Sequence, residues 1–314
     1  MAMTGLAEVH FQPTLRGRGV PSVVPIIEVP EASEGVTLEH GETMVAGARG
    51  MSLYTQWWRP CGAARGAVIV VHGLKDHSAR YGAFAERLVA GGFAVYAFDL
   101  RGHARSAGAR GWVESFDEYL RDLDAIVNRA VRRERTAPVF LFGQGMGGTI
   151  AARWAIDRAA PLAGLVLSGA SLQAQEAPAE AHATRLLAVL APHARILQID
   201  LRRACRDRGT VEDSLRDALV QQAPAPARTA RELLDAMARV DARAAQLKVP
   251  LLAMHGSADV LEDPEGSRRI VARAGSRDKQ VYVYDGLAHD LLHEPERARV
   301  TSDVAAWLEE RARS

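Results

Sequence analysis

The chain has 314 residues, enough for one large domain or two ordinary ones, either able to bury a core. Basic and acidic side chains nearly balance, with 39 Lys plus Arg against 38 Asp plus Glu. The formal net charge of +1 excludes whole-chain electrostatic attraction to nucleic acid or anionic membrane. Two cysteines, Cys61 and Cys205, lie far apart without metal-ligand spacing. That argues against a disulfide framework and for a reducing, cytoplasmic setting.

The N-terminal stretch lacks the apolar centre of a signal peptide, and the longest uncharged runs fall short of the ~20 residues of a membrane span. A soluble protein is expected. Residues 1–38 carry four prolines and no periodicity, and are read as an extension that lies over the domain or is partly disordered. Regular structure is expected from residue 39 to 314. Gly41–Ala46 and Met51–Trp58 read as two strands joined by a turn at Gly47–Gly50.

A βα rhythm follows. Ala67–Val71 is a continuous apolar run ending in His72-Gly73, and Tyr81–Ala90 has helical spacing that Gly91-Gly92 stops. Phe93–Phe98 is the next run. Phe116–Arg132 is amphipathic, with Tyr119, Leu123, Ile126 and Ala130 at three- and four-residue steps. Val139–Phe142, Leu162–Leu167, Leu251–His255 and Gln280–Tyr284 complete the strands. Such alternation predicts an α/β fold with a mostly parallel sheet covered by helices on both faces, whose ligands sit at the carboxyl ends of the strands. Between about 171 and 248 no strand is evident, but Arg185–Leu190, Thr210–Val220 and Ala227–Leu247 read as helices. This interval predicts a helical insertion between two strands.

Gly143-Gln144-Gly145-Met146-Gly147-Gly148 fits two motifs. As Gly-x-Gly-x-x-Gly after a strand it matches a dinucleotide fingerprint, which also needs an acidic residue ending the next strand. That strand ends in Ser168-Gly169 instead, so an oxidoreductase is the weakest reading. As Gly-x-Ser-x-Gly it is a nucleophile elbow on Gly143, Gln144, Gly145, Met146 and Gly147, with glycine where serine belongs. The rest of the chain supports the elbow. His72-Gly73-Leu74 ends an earlier strand, Asp259 follows Leu251–His255, and His289 follows Gln280–Tyr284. Nucleophile position, acid, base is the order of an α/β-hydrolase.

These blocks, VVHGLKDHSARY (70–81), FDLRGHARSAGARGWVESFDEYLRDLD (98–124), GQGMGG (143–148), HGSAD (255–259) and GLAHDLLHE (286–294), resemble the monoacylglycerol lipase and lysophospholipase group of α/β-hydrolases. The resemblance implies an α/β-hydrolase sheet of about eight strands. It further implies a helical cap at 171–248 over an acyl pocket, oxyanion amides at Leu74 and Met146, and Asp259 and His289 as triad acid and base. Where the family has Ser within GHSMGG, this chain has Gly145, and Gln144 replaces the usual His.

With no hydroxyl at 145, no acyl-enzyme can form there. The expected function is an ester hydrolase by descent that acts on or binds a lipid-like acyl ester. The alternative is an enzyme that uses the His289–Asp259 base on water or a substrate C–H. No cofactor or metal is expected, because His289, His293 and Glu294 mimic a zinc helix without a third ligand. The expected partner is a small-molecule ester, with no nucleic acid and with transient membrane-surface contact through the cap. Asp99, Arg101, His77, Arg80 and Tyr81 read as loop ties, Cys205 as a bystander, and Ser168 and Ser171 as minor.

Overall fold

In the computed structural model, which describes residues 26–27, 38–173 and 178–313, the alternating runs form strands and helices in turn. In chain order they begin with β1 (Ile26–Ile27), β2 (Leu38–Ala46), β3 (Ser52–Pro60), β4 (Gly66–Val71) and α1 (Gly82–Ala90). Then come β5 (Phe93–Phe98), α2 (Phe116–Glu134), β6 (Val139–Gln144), α3 (Met146–Arg158) and β7 (Gly164–Ser168). The next stretch holds α4 (Pro178–Leu190), β8 (Arg195–Leu197), α5 (Arg208–Arg216), β9 (Ala225–Pro226) and α6 (Ala227–Arg243). Last are β10 (Leu251–Gly256), α7 (Pro264–Arg273), β11 (Lys279–Tyr284) and α8 (Arg297–Arg311).

One sheet runs β1-β2-β3-β5-β4-β6-β7-β10-β11. From β5 to β11 every pairing is parallel, while β1, β2 and β3 join antiparallel at one end. This is the expected α/β-hydrolase sheet of eight strands, to which the two-residue β1 adds an edge pairing. The expectation for residues 1–38 lies outside the described residues, apart from Ile26–Ile27 and Leu38.

Strands β4, β5, β6, β7 and β10 are buried along their whole length, which is why they read as unbroken apolar runs. Alternate side chains serve opposite faces. Ile69 and Val71 pack with Tyr119, Leu123 and Ile150, whereas Val68 and Val70 pack with Phe84, Leu88 and Val304. Helices α2 and α3 thus cover one face, and α1 and α8 the other. The Ser115 side chain caps α2 by accepting from the Asp117 amide, and Asp117 and Glu118 complement the helix N-terminus.

Between β7 and β10 the chain leaves the sheet for α4, α5 and α6. The stretch read as strandless holds one short antiparallel pairing of β8 with β9. With three and two residues, one of them proline, these strands are too short to show a two-residue period. The first helix begins at Pro178 rather than Arg185, and the second ends at Arg216 rather than Val220. The third ends at Arg243 and passes into a 3-10 turn at Ala244–Gln246.

Candidate active site

The strand ends bring three distant loops together. Gly145 closes β6 and caps α3 with φ 53° and ψ −123°, a conformation open to glycine and strained for other residues. Its amide donates to the Ser168 carbonyl (3.0 Å), and its carbonyl accepts from the amides of Gly148 (2.9 Å) and Ser171 (3.1 Å). The turn is tight because α3 starts directly against the end of β4. A Cβ on Gly147 would lie 2.1 Å from the Val71 carbonyl oxygen, so a side chain is excluded there.

A Cβ on Gly145, in contrast, would meet only ordinary contacts: His289 Nε2 at 3.4 Å, His289 Cε1 at 3.7 Å and Gly73 Cα at 3.8 Å. His289 Nδ1 in turn donates to Asp259 Oδ2 at 2.9 Å. Asp259 Oδ2 also lies 2.9 Å from His255 Nε2, while its Oδ1 accepts from the amides of Leu261 (2.8 Å) and Glu262 (3.0 Å). Burial alone would raise the Asp259 carboxyl, but the hydrogen bonds from His255 and His289 and the charge of His289 outweigh it. They hold Asp259 well below the usual carboxylate range. Burial likewise works to lower His289, and the hydrogen bond to Asp259 with the charges of Asp259, Glu262 and Asp290 raises it to about 9.

Leu74 and Met146, the expected oxyanion residues, line the same cavity of about 380 Å³ as Gly145 and His289. Met146 is the first residue of α3, whose N–H has no intrahelical acceptor and faces the positive end of the helix dipole. The loop carrying Leu74 is held by His72. Its Nε2 accepts from the Leu100 amide at 2.9 Å, which leaves Nδ1–H to donate to the Gly73 carbonyl at 2.7 Å. Lys75 Nζ then ties this loop to the inserted stretch through the carbonyls of Ile199 and Gln222, each at 3.1 Å.

The expected loop ties make such contacts. Asp99 accepts from the Ser78 amide and hydroxyl and the Arg105 amide, and Arg101 pairs with Asp122 and Glu118. His77 contacts Asp217 at 2.8 Å, and the Tyr81 hydroxyl donates to Asp76 at 2.7 Å. Arg80 bridges Asp76 to Asp290, each at 3.0 Å, and so joins the Leu74 loop to the His289 loop. Gln144 has a role too: its Nε2 donates to the His289 carbonyl at 3.1 Å.

The zinc-like trio is engaged otherwise. His293 binds Asp290 and the Arg80 carbonyl, and Glu294 accepts from Arg206 and the Ala288 amide. Among the described residues, no group of three His, Cys, Asp or Glu side chains is arranged to hold a metal ion. Burial pushes the Cys205 thiol up to about 12, which leaves it inert as a nucleophile.

Glu262, not singled out from the sequence, and Ser171, read there as minor, both enter the site. Glu262 lines the cavity, and its Oε1 accepts from Ser171 Oγ at 2.5 Å. Burial raises its carboxyl to about 7, against the hydrogen bond from Ser171 and the charge of His289. The one signal in the sequence is its place three residues after Asp259, inside an acidic run that reads as a solvated turn.

Residues 62–296 match the family described as serine aminopeptidase, S33. A monoacylglycerol lipase of Mycolicibacterium smegmatis is 34% identical over 275 residues, covering 87% of this chain and 98% of that protein. Human monoglyceride lipase is 32% identical over 269 residues, covering 84% and 89%. The crystal structure of Paleococcus ferrophilus monoacylglycerol lipase superposes with a TM-score of 0.75 at 30% identity, covering 82% of this chain and 99% of that one. Sheet order, elbow and sequence agree, and the chain belongs to the serine aminopeptidase S33 family of α/β-hydrolases, in company with the monoacylglycerol lipases.

Proposed function

We propose that this chain is a monoacylglycerol lipase-like protein whose cavity takes a lipid-like acyl ester and which, with glycine at 145, forms no acyl-enzyme. The observation that carries this reading is the open space at Gly145, bounded by a His289 that Asp259 already holds. The Leu74 and Met146 amides are assigned to the ester carbonyl oxygen, and Asp259 and His289 to the triad acid and base. Residues 171–248 are read as the cap. Strand β7 ends at Ser168 with no acidic residue to hold a ribose, which favours an elbow over a dinucleotide site.

The alternative, in which His289–Asp259 alone activates water, has less support. It leaves the Glu262 carboxyl, which lines the same cavity, without a role. No cofactor is assigned, and no nucleic acid partner. Among the described residues, no helix is long and apolar enough to cross a membrane. Leu186, Val189 and Leu190 of α4 are exposed, which supports transient contact of the cap with a lipid surface. Cys61 and Cys205 are both free, in keeping with the reducing cytoplasm expected from the sequence.

The test is fluorophosphonate labelling and monoacylglycerol hydrolysis, run side by side on the chain and on Gly145→Ser. Labelling at 145 only in the serine form is expected. A folded serine form that neither labels nor binds an acyl ester analogue removes the reading.

A further inference from the structure

The cavity contains a carboxyl that a serine lipase mechanism leaves without a task. Glu262 follows β10 on the same loop as Asp259, and its amide donates to Asp259 Oδ1 at 3.0 Å. Its side chain turns into the cavity that Gly145, Met146 and His289 also line. Ser171 Oγ fixes Oε1 at 2.5 Å, and the Ser171 amide is bonded to the Gly145 carbonyl at 3.1 Å. The Glu262 carboxyl, the His289 imidazole and the side-chain-free space at Gly145 therefore share one cavity wall. At that space there is room where a Cβ would otherwise sit 3.4 Å from His289 Nε2.

Resting on the acyl-ester reading above, we propose that Glu262 is the general base for direct hydrolysis of the ester by a water molecule seated in the space at Gly145, with His289 as the general acid. The water oxygen bonds to the ester carbonyl carbon while one of its protons passes to the Glu262 carboxylate. The carbonyl π pair moves onto oxygen, where the Leu74 and Met146 amides receive it. The carbonyl then re-forms as the C–O bond to the alcohol breaks, and the departing alkoxide takes the proton of the His289 imidazolium. The products are a carboxylic acid and an alcohol. Glu262 then returns its proton to His289, which restores the starting state without any covalent intermediate.

The charge states agree with this division of labour. Glu262 titrates at about 7 and His289 at about 9, so carboxylate and imidazolium coexist between the two. Glu262 is faced by Ser171, His289 and Asp259, and His289 by Asp259, Glu262 and Asp290. The other charged residues lining the cavity are Lys75, Asp76, Arg80, Asp200 and Arg203. Arg80 is held by Asp76 and Asp290, and Lys75 by two carbonyls.

The experiment follows glycerol release from monobutyrin, whose alkoxide needs a proton to leave, by the full chain from pH 5.5 to 10, with Glu262→Gln and Glu262→Asp in parallel. Binding of a non-hydrolysable monoalkyl glycerol ether is measured on each protein by calorimetry. The expected result is a bell-shaped kcat/KM with limbs near pH 7 and 9. Glu262→Gln should lower kcat ~100-fold or more, the range for a general base, with ether affinity kept and the acid limb gone. Glu262→Asp, which keeps a carboxylate, should keep part of the rate and the bell. Turnover indifferent to Glu262→Gln overturns the proposal, as does an acyl or phosphonyl adduct on Ser171 in the intact protein. A chain that binds the ether but hydrolyses nothing overturns it while the ligand reading stands. A chain that neither binds nor hydrolyses overturns both.

Discussion

A side chain built on Gly145 meets His289 before any other group, its Cβ lying 3.4 Å from His289 Nε2. The glycine is therefore not forced by crowding, in contrast to Gly147, whose Cβ would strike the Val71 carbonyl at 2.1 Å. A serine at 145 has space and lacks only an easy backbone. Gly145→Ser is expected to fold with stability lowered by ~1–3 kcal/mol, the strain of its φ and ψ in a residue with a Cβ. It should gain fluorophosphonate labelling at Ser, read by mass spectrometry alongside thermal unfolding.

Asp259 sets the charge of His289. Removing its carboxylate in Asp259→Asn leaves burial to dominate, so the His289 pKa should drop from about 9 to below its ordinary 6.5. The imidazole Cε1–H chemical shift followed against pH gives the value directly. Titration that stays near 9 in the variant would assign the rise to Glu262 and Asp290 instead.

Glu262 and His289 are both raised relative to the unfolded chain, and the signs follow from proton uptake. A folded state that holds more protons than the unfolded one loses stability as pH rises. For Glu262 the loss runs from 4.5, its ordinary value, through about 7, and for His289 from 6.5 through about 9. Glu262→Gln should abolish the first decline, worth about 3 kcal/mol for a shift of this size. Urea unfolding at half-unit steps from pH 4.5 to 9 measures it. An unchanged slope below pH 7 would mean that Glu262 is ionised throughout.

Arg101 holds the loop after β5 to α2 from a buried position. It meets Asp122 at 2.6 and 2.8 Å and Glu118 at 2.9 Å, and is 3% exposed. Arg101→Ala strands these carboxylates without a partner and should cost about 3–5 kcal/mol. The half-exposed pair Arg158–Asp124 at 2.8 Å is the control, and breaking it should cost about 1 kcal/mol or less. Chemical denaturation of both variants gives the comparison.

Leu186 and Leu190, one turn apart on α4, are 61% and 73% exposed. If the cap rests on lipid, replacing both with aspartate should lower the vesicle-bound fraction ~10-fold or more, given the transfer energy of two leucines. Co-sedimentation with phosphatidylcholine vesicles reads this, and equal binding of both proteins would remove the contact.

Much of this molecule is legible in its sequence because the signals are local. Ala67–Val71 and Phe93–Phe98 read as unbroken apolar runs because a sheet covered on both faces buries every residue of such a strand. The elbow is visible because one tight strand–helix turn needs small residues at adjacent positions. Asp259 and His289 are visible because each follows such a run, in the order the fold uses. Helices α7 and α8 escaped notice although α8 buries Val300, Val304 and Leu308 at four-residue steps, because charged residues surround them. What only the tertiary structure decided is the meeting of Glu262 with Ser171, which lie 91 residues apart. Strand β10 pairs with β7 so that Met254 stands beside Ser168. That register brings the loop after one strand over the loop after the other. No local pattern carries such information, since the direction of a side chain beyond a strand end depends on the neighbour against which the strand is laid.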